Sequence, residues 1–135
     1  MDGNEKKLKH LEFIQNTITR MNSNSFLLKG WTITLVSALF ALAAKDTNYK
    51  YVLISYIAIP TFWLLDGFFI ANERQYRDLY KEVSAKPENG IDFDMDASRF
   101  CSGDRTWPAG IFSKTLIPFY GIAVATTLLV MFLMR

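Results

Sequence analysis

One cysteine and one histidine in 135 residues leave little from which reactive chemistry could be built. Cys101 has no second cysteine to pair with, which excludes an intrachain disulfide. His10 stands alone on a charged helical segment, where an imidazole is a polar-face residue rather than a catalyst. There is no glycine-rich phosphate loop, and no histidines and carboxylates stand at metal-ligand spacing. The expectation is a protein that is not an enzyme and takes neither cofactor nor metal. Charge is scarce too: 21% of residues carry one, and the net charge of +2 is too small to argue for nucleic acid, though it leaves room for a local anion site.

What is present is apolar sequence, half of all residues, gathered into blocks. Phe26 to Ala44 carries only Lys29, Tyr51 to Ala71 only Asp66, and Thr115 to Met134 no charge at all. Each is long enough for a hydrocarbon core of about 30 Å, and buried helices of a soluble bundle seldom lack a polar face over such lengths. The fold class expected is an all-α membrane protein with three transmembrane helices, an N-terminal amphipathic helix and a long second helix running on out of the bilayer. The divisions are residues 1–25 (amphipathic helix), 26–44 (first span), 45–50 (outer turn), 51–71 (second span), 72–86 (its extension), 87–110 (loop) and 111–135 (third span). A cleaved signal peptide is not expected, since the first 25 residues lack an apolar core segment.

Basic residues orient the chain. Lys6, Lys7, Lys9, Arg20 and Lys29 precede or open the first span, and Arg74, Arg77, Lys81, Lys86, Arg99, Arg105 and Lys114 lie between the second and third. Only Lys45, Lys50 and Arg135 fall on the other side, so the N-terminus and the long loop are expected in the cytoplasm and the C-terminus outside.

In chain order, Leu8, Leu11, Ile14, Ile18 and Met21 give the first helix one apolar face. Asn22 to Ser25 are poor helix formers and good caps, which predicts a bend before the first span. Along that span Gly30, Thr34, Ser37, Ala41 and Ala44 form a stripe of small residues, the usual means by which helices approach closely in lipid. A six-residue turn makes the first two spans antiparallel neighbours. Pro60 removes a hydrogen bond inside the second span and favours a bend.

Asp66 lies about 22 Å in from Tyr51 at 1.5 Å per residue, and Lys29 and Lys114 count to the same depth, about one turn inside their own spans. A carboxylate there must face protein or water, be paired, or be protonated. The functional reading is a gate or inner vestibule made by Asp66, Lys29 and Lys114; the structural one is an ion pair within one subunit. Beyond Asn72 the helix continues with Glu73–Arg77 and Arg74–Asp78 pairs at i,i+4, and Pro87 ends it. Ile91 to Asp96 alternate as an extended segment or turn without the glycine and distal glutamate of a calcium loop, and Arg99, Arg105 and Trp107 are an anion-binding set by composition. Gly121 and Ala125 supply a small pair on the third span.

NSFLLKGW opening the first span, FWLLDGFF in the second and ERQYRDLY directly after it resemble small membrane effectors of bacterial antiphage and conflict systems, the SLATT-like proteins coupled to nucleotide signals. The resemblance covers residues 20–85, with Asp66, Glu73 and Arg77 as the matching polar positions. It implies a homo-oligomeric inner-membrane channel or pore, most simply a tetramer, acting in abortive infection and gated from the cytoplasm by a nucleotide or oligonucleotide that a partner enzyme makes. The C-terminus would then be periplasmic, and Glu73, Arg74, Arg77, Tyr80 and Lys81 would meet the ligand or partner, Arg being suited to phosphate. The alternative is a non-conducting membrane anchor or scaffold that recruits a cytoplasmic partner protein.

Overall fold

The computed structural model describes residues 2–135. Among them the chain is helical with no strand: α1 is Gly3–Asp46, α2 Lys50–Ala85, α3 Trp107–Ile111 and α4 Leu116–Met134, with three short 3₁₀ turns between α2 and α3. Three of these helices, α1, α2 and α4, are long and apolar enough to cross a membrane. At 1.5 Å per residue α1 and α2 extend for about 66 and 54 Å, well beyond a hydrocarbon core, whereas α4 reaches about 28 Å.

A capping box starts α1. The Glu5 amide donates to Asp2 Oδ1 at 2.7 Å, and the Asp2 amide returns a bond to Glu5 at 3.2 Å. From there one buried stripe runs the length of the helix through His10, Ile14, Ile18, Ser25, Thr32, Val36, Leu39 and Ala43. Its steps are three, four or seven residues, so α1 presents a single face to α2 from end to end. The helix is unbroken at Asn22 to Ser25, where a bend is expected from the sequence, and residues 3–25 run on into the first apolar block rather than forming a separate helix. Weak local propensity loses to tertiary contact here, because Ser25 is buried on the packing face and its hydroxyl is engaged across the helix pair.

The turn after α1 is tighter than the expected 45–50. Thr47 takes the left-handed conformation, its amide closing on Ala43, and the Asn48 side chain accepts from the Lys50 amide at 3.0 Å. The returning α2 passes through Pro60 uninterrupted and ends just before Pro87. Its buried face changes along the way, from Val52, Ser55, Ile59 and Asp66 to Gly67, Ala71, Leu79 and Val83.

Beyond the apolar blocks, Ile14 and Ile18 of α1 meet Leu79 and Val83 of α2, and the connecting segment folds back so that Ala97 joins them, with Tyr80, Met95 and Phe100 packed around. This layer we call the head. His10 belongs to it and is fully buried, not on a polar face; its Nε2 donates to the Asp94 carbonyl at 2.9 Å. Leu8, expected on the apolar face, is instead 59% exposed. Of the two forms expected for Ile91 to Asp96, an extended segment or a turn, Asp92, Asp94 and Asp96 take the turn. Each accepts the amide two residues on, from Asp94, Asp96 and Ser98, which makes three successive Asx turns.

The third span starts later than expected. Residue 111 ends α3, residues 112–115 form a turn, and α4 begins at Leu116, where Val36, Ile59, Leu116 and Tyr120 make a second core inside the apolar blocks. The loop assigned to residues 87–110 therefore contains a helix of its own, α3, lying against α2.

Candidate functional site

Asp66 is the point at which α1, α2 and α4 meet. Its side chain has no exposed surface, and its two oxygens accept from three donors: Oδ1 from the Ser25 hydroxyl, Oδ2 from the Lys29 ammonium at 2.6 Å and from the Tyr120 hydroxyl at 2.9 Å. Lys29 also donates to Ser25 Oγ at 2.8 Å, so two of its three N–H bonds are engaged. Helical spacing makes this possible, since Ser25 and Lys29 are one turn apart on α1 and project to one side. The rings close the rest. Trp63 stacks on Tyr120 with centroids 5.7 Å apart and planes 6° from parallel, and Lys29 lies 6.0 Å from the Phe119 centroid.

Below the cluster α3 is locked to α2 by two tryptophans pointing in opposite directions. Trp63 Nε1 donates to the Ile111 carbonyl, one of the orphan acceptors at the end of α3, and Trp107 Nε1 donates to Leu64 O, each at 2.8 Å. Between them two glycines touch. A methyl group added at Gly110 would stand 2.3 Å from the Gly67 carbonyl, and one at Gly67 would stand 2.5 Å from the Ile111 side chain. Gly67 and Ala71 are thus a small pair at i,i+4 that admits another backbone.

Lys114, counted at the same depth as Asp66, is not in the cluster. It is exposed in the turn before α4, because that helix begins two residues after it. Ser25 and Tyr120 take the places around the carboxylate, and neither was singled out from the sequence. Ser25 had a signal in its i,i+4 spacing to Lys29; Tyr120, the one tyrosine of the third apolar block, had only its rarity there.

No family model, no curated protein and no solved structure matches this chain. Function must be argued from its own geometry.

The stripe of Gly30, Ser37, Ala41 and Ala44 is exposed, on the side of α1 away from α2, and a methyl group added at Gly30 would meet nothing within 4 Å. Gly121 is equally open, and Ala125 beside it on α4 is exposed. Packing within the chain uses neither surface.

The polar residues after Asn72 do not converge on one pocket. Glu73 is largely buried and accepts from Arg77, whose side chain is 56% exposed. Arg74 donates to the Asp104 carbonyl at 2.6 Å, Tyr80 packs into the head core, and Lys81 is exposed. Gln75 donates to the Arg105 carbonyl at 2.9 Å and Arg105 pairs with Asp78, so this part of α2 holds the connecting segment in place. Of the composition-based anion set, Arg99 bridges Glu82 and Asp94 at 2.6 and 3.1 Å, Arg105 is paired, and Trp107 belongs to the α3 lock. The Asp94 amide holds the Asp92 carboxyl below the usual aspartate range, and the Ser98 hydroxyl does the same for Asp96. Among the described residues no group of three or more His, Cys, Asp or Glu side chains could hold a metal ion.

Proposed function

We propose that this chain is the subunit of a homo-oligomeric inner-membrane channel whose opening is governed from the head, with the head and N-terminus cytoplasmic and the C-terminus periplasmic. The observation that carries the reading is the Lys29–Asp66 pair: an ionisable pair inside apolar spans, at the junction of all three of them and directly beside the segment that ties the spans to the head. Intramembrane carboxylates are expensive and commonly mark ion paths or gates. One chain with three spans cannot enclose a water path, so conduction requires copies arranged in a ring, a tetramer being the simplest. The outward small surfaces of α1 and α4 support that assembly, since close helix approach in lipid depends on such residues. On this reading Asp66 leaves Lys29 for the pore when the head moves. The motifs shared with SLATT-like antiphage effectors suggest the signal, a nucleotide or oligonucleotide from a partner enzyme, read by the exposed Arg77 and Lys81.

The test is ion flux from liposomes containing the purified protein, with a panel of cyclic and linear oligonucleotides added outside and inside. Flux that one of them switches, altered by Asp66→Asn with the oligomer intact, is the expected result. No flux under any condition overturns the channel reading. Ala41→Leu is expected to weaken the oligomer while leaving the subunit folded, by crosslinking and light scattering; an unchanged oligomer removes α1 as the interface.

A non-conducting anchor is the second reading. The head favours it, being a layer of three segments with an apolar core of its own and exposed basic side chains such as Arg77 and Lys81 on its surface, which is what recruitment of a partner protein needs.

A further inference from the structure

Outward of the Lys29–Asp66 pair, α1 and α4 run alongside one another without closing, since α4 leans chiefly on α2. A lateral cleft of about 330 Å³ remains, walled by Ile33, Val36, Phe40, Phe119, Ile122 and Ala123. Thr32, Ser37 and Thr126 also reach it, and the two threonine hydroxyls are engaged by carbonyls one turn back on their own helices, Leu28 at 2.7 Å and Ile122 at 2.8 Å, so that Ser37 alone adds a polar group to the wall. The cleft is therefore a largely apolar slot.

Its inner end is cationic. Lys29, Ile33, Val36 and Phe40 follow one another at steps of four, three and four, so Lys29 stands on the stripe that forms the α1 wall. Its ammonium is 6.0 Å from the ring of Phe119 on the opposite wall. The side chain is 21% exposed, in contrast to the sealed Asp66, and one N–H remains after Ser25 and Asp66 have taken the other two. An apolar slot with a cation at its mouth, one turn inside the block that opens at Phe26, is complementary to a molecule with an acyl chain and an anionic head.

We propose that the α1–α4 cleft binds one acyl chain of an anionic phospholipid, with its phosphate at the free N–H of Lys29. Size selects this occupant over a second copy of the chain. From Thr32 to Phe40 the α1 wall is about 12 Å long, and a helix about 10 Å across would need roughly 900 Å³ over that length. A lysine at this depth also reaches the headgroup level along its own stem. The site does not depend on conduction and would serve an anchor as well as a channel.

The experiment is competition between phosphatidylglycerol and phosphatidylcholine of identical chains for the detergent-purified protein, read by native mass spectrometry. It is paired with photocrosslinking by phosphatidylglycerol carrying an acyl-chain diazirine. A single lysine is worth about fivefold in favour of an anionic headgroup. Expected are retention of phosphatidylglycerol at about that advantage and adducts confined to residues 32–40 and 119–126. Lys29→Gln combined with Asp66→Asn, which removes the cation without stranding the buried carboxylate, should bring the two lipids to parity while a chain still binds. Ala123→Trp, or Ser37→Trp should the first not fold, fills the slot and should remove both lipids. Equal retention by the wild type, adducts elsewhere, or undiminished retention by a folded filled variant overturns the proposal. So does a filled variant that changes the oligomer without losing lipid, which would give the cleft to a second copy.

Discussion

Two acid–base pairs whose carboxylates lie seven residues apart on α2 have little in common physically. Asp66 with Lys29 is enclosed by three helices inside the apolar blocks, its carboxylate having no exposed surface. Glu73 with Arg77 is an i,i+4 pair of the same helix where it leaves them, with the Arg77 side chain more than half exposed. Composition treats the two alike, but solvent does not. Where water competes, such a pair is worth a few tenths of a kcal/mol. Where it does not, the pair adds little stability over an apolar replacement, yet losing one partner strands a charge. The contrast extends to the regions around them. The head core of Ile14, Ile18, Leu79 and Val83 is driven together by the hydrophobic effect, whereas the spans, with lipid as solvent, depend on close backbone approach and polar contacts.

The largest effect that would break or sharpen this contrast is expected at Lys29. Lys29→Met should destabilise the fold by about 3–5 kcal/mol in detergent-titrated unfolding, because Asp66 keeps its burial and loses its cation. Adding Asp66→Leu should recover most of the loss. Arg77→Met should cost about 0.5 kcal/mol or less, and equal losses at the two sites would mean that burial is not what separates them.

Gly110→Ala comes next, at about 1–3 kcal/mol, since the added methyl meets the Gly67 carbonyl and backbone must move. The loss should show as faster hydrogen exchange over residues 107–115. Gly121→Ala, with open space around it, should leave subunit stability unchanged. A tolerated Gly110→Ala would show that the α2–α3 contact is slack.

The smallest effect is acid sensitivity of the connecting segment. Asp92 and Asp96 have folded-state values below their unfolded ones, so their contribution is present above the ordinary aspartate value of about 3.9 and is lost as pH falls through the depressed values. Both are exposed, so the loss should be slight. It should appear as faster amide exchange at Asp94 and Ser98 below about pH 4, with no change at Tyr120.

The calculated depth of Asp66 and its need for partners could be argued from the sequence, because an isolated carboxylate in an apolar run is costly whatever surrounds it. Which partners it takes could not. Lys29 and Lys114 stood level when counted along continuous helices, but α3 and the turn after it broke that count for Lys114. Ser25 looked like a helix breaker and became a donor, its hydroxyl satisfied by the contact across the helix pair within an unbroken helix. His10 looked solvated and is buried, because the connecting segment folds over it, and no local periodicity records where a loop returns.

The sequence by itself determined the three apolar helices, the antiparallel pairing of the first two through a turn of a few residues, and the end of the second before Pro87. Those follow from hydropathy, chain reach and proline's missing N–H, all local in origin. Tertiary structure alone decided that α1 is a single helix from head to far end, that Gly67 admits the backbone of Gly110, and that Asp66 is closed by Ser25, Lys29 and Tyr120. Each of these depends on groups from 37 to 54 residues apart, or on the face a helix turns to its neighbour. In an apolar solvent that face is chosen by shape and by the few polar atoms present, and hydropathy carries no information about either.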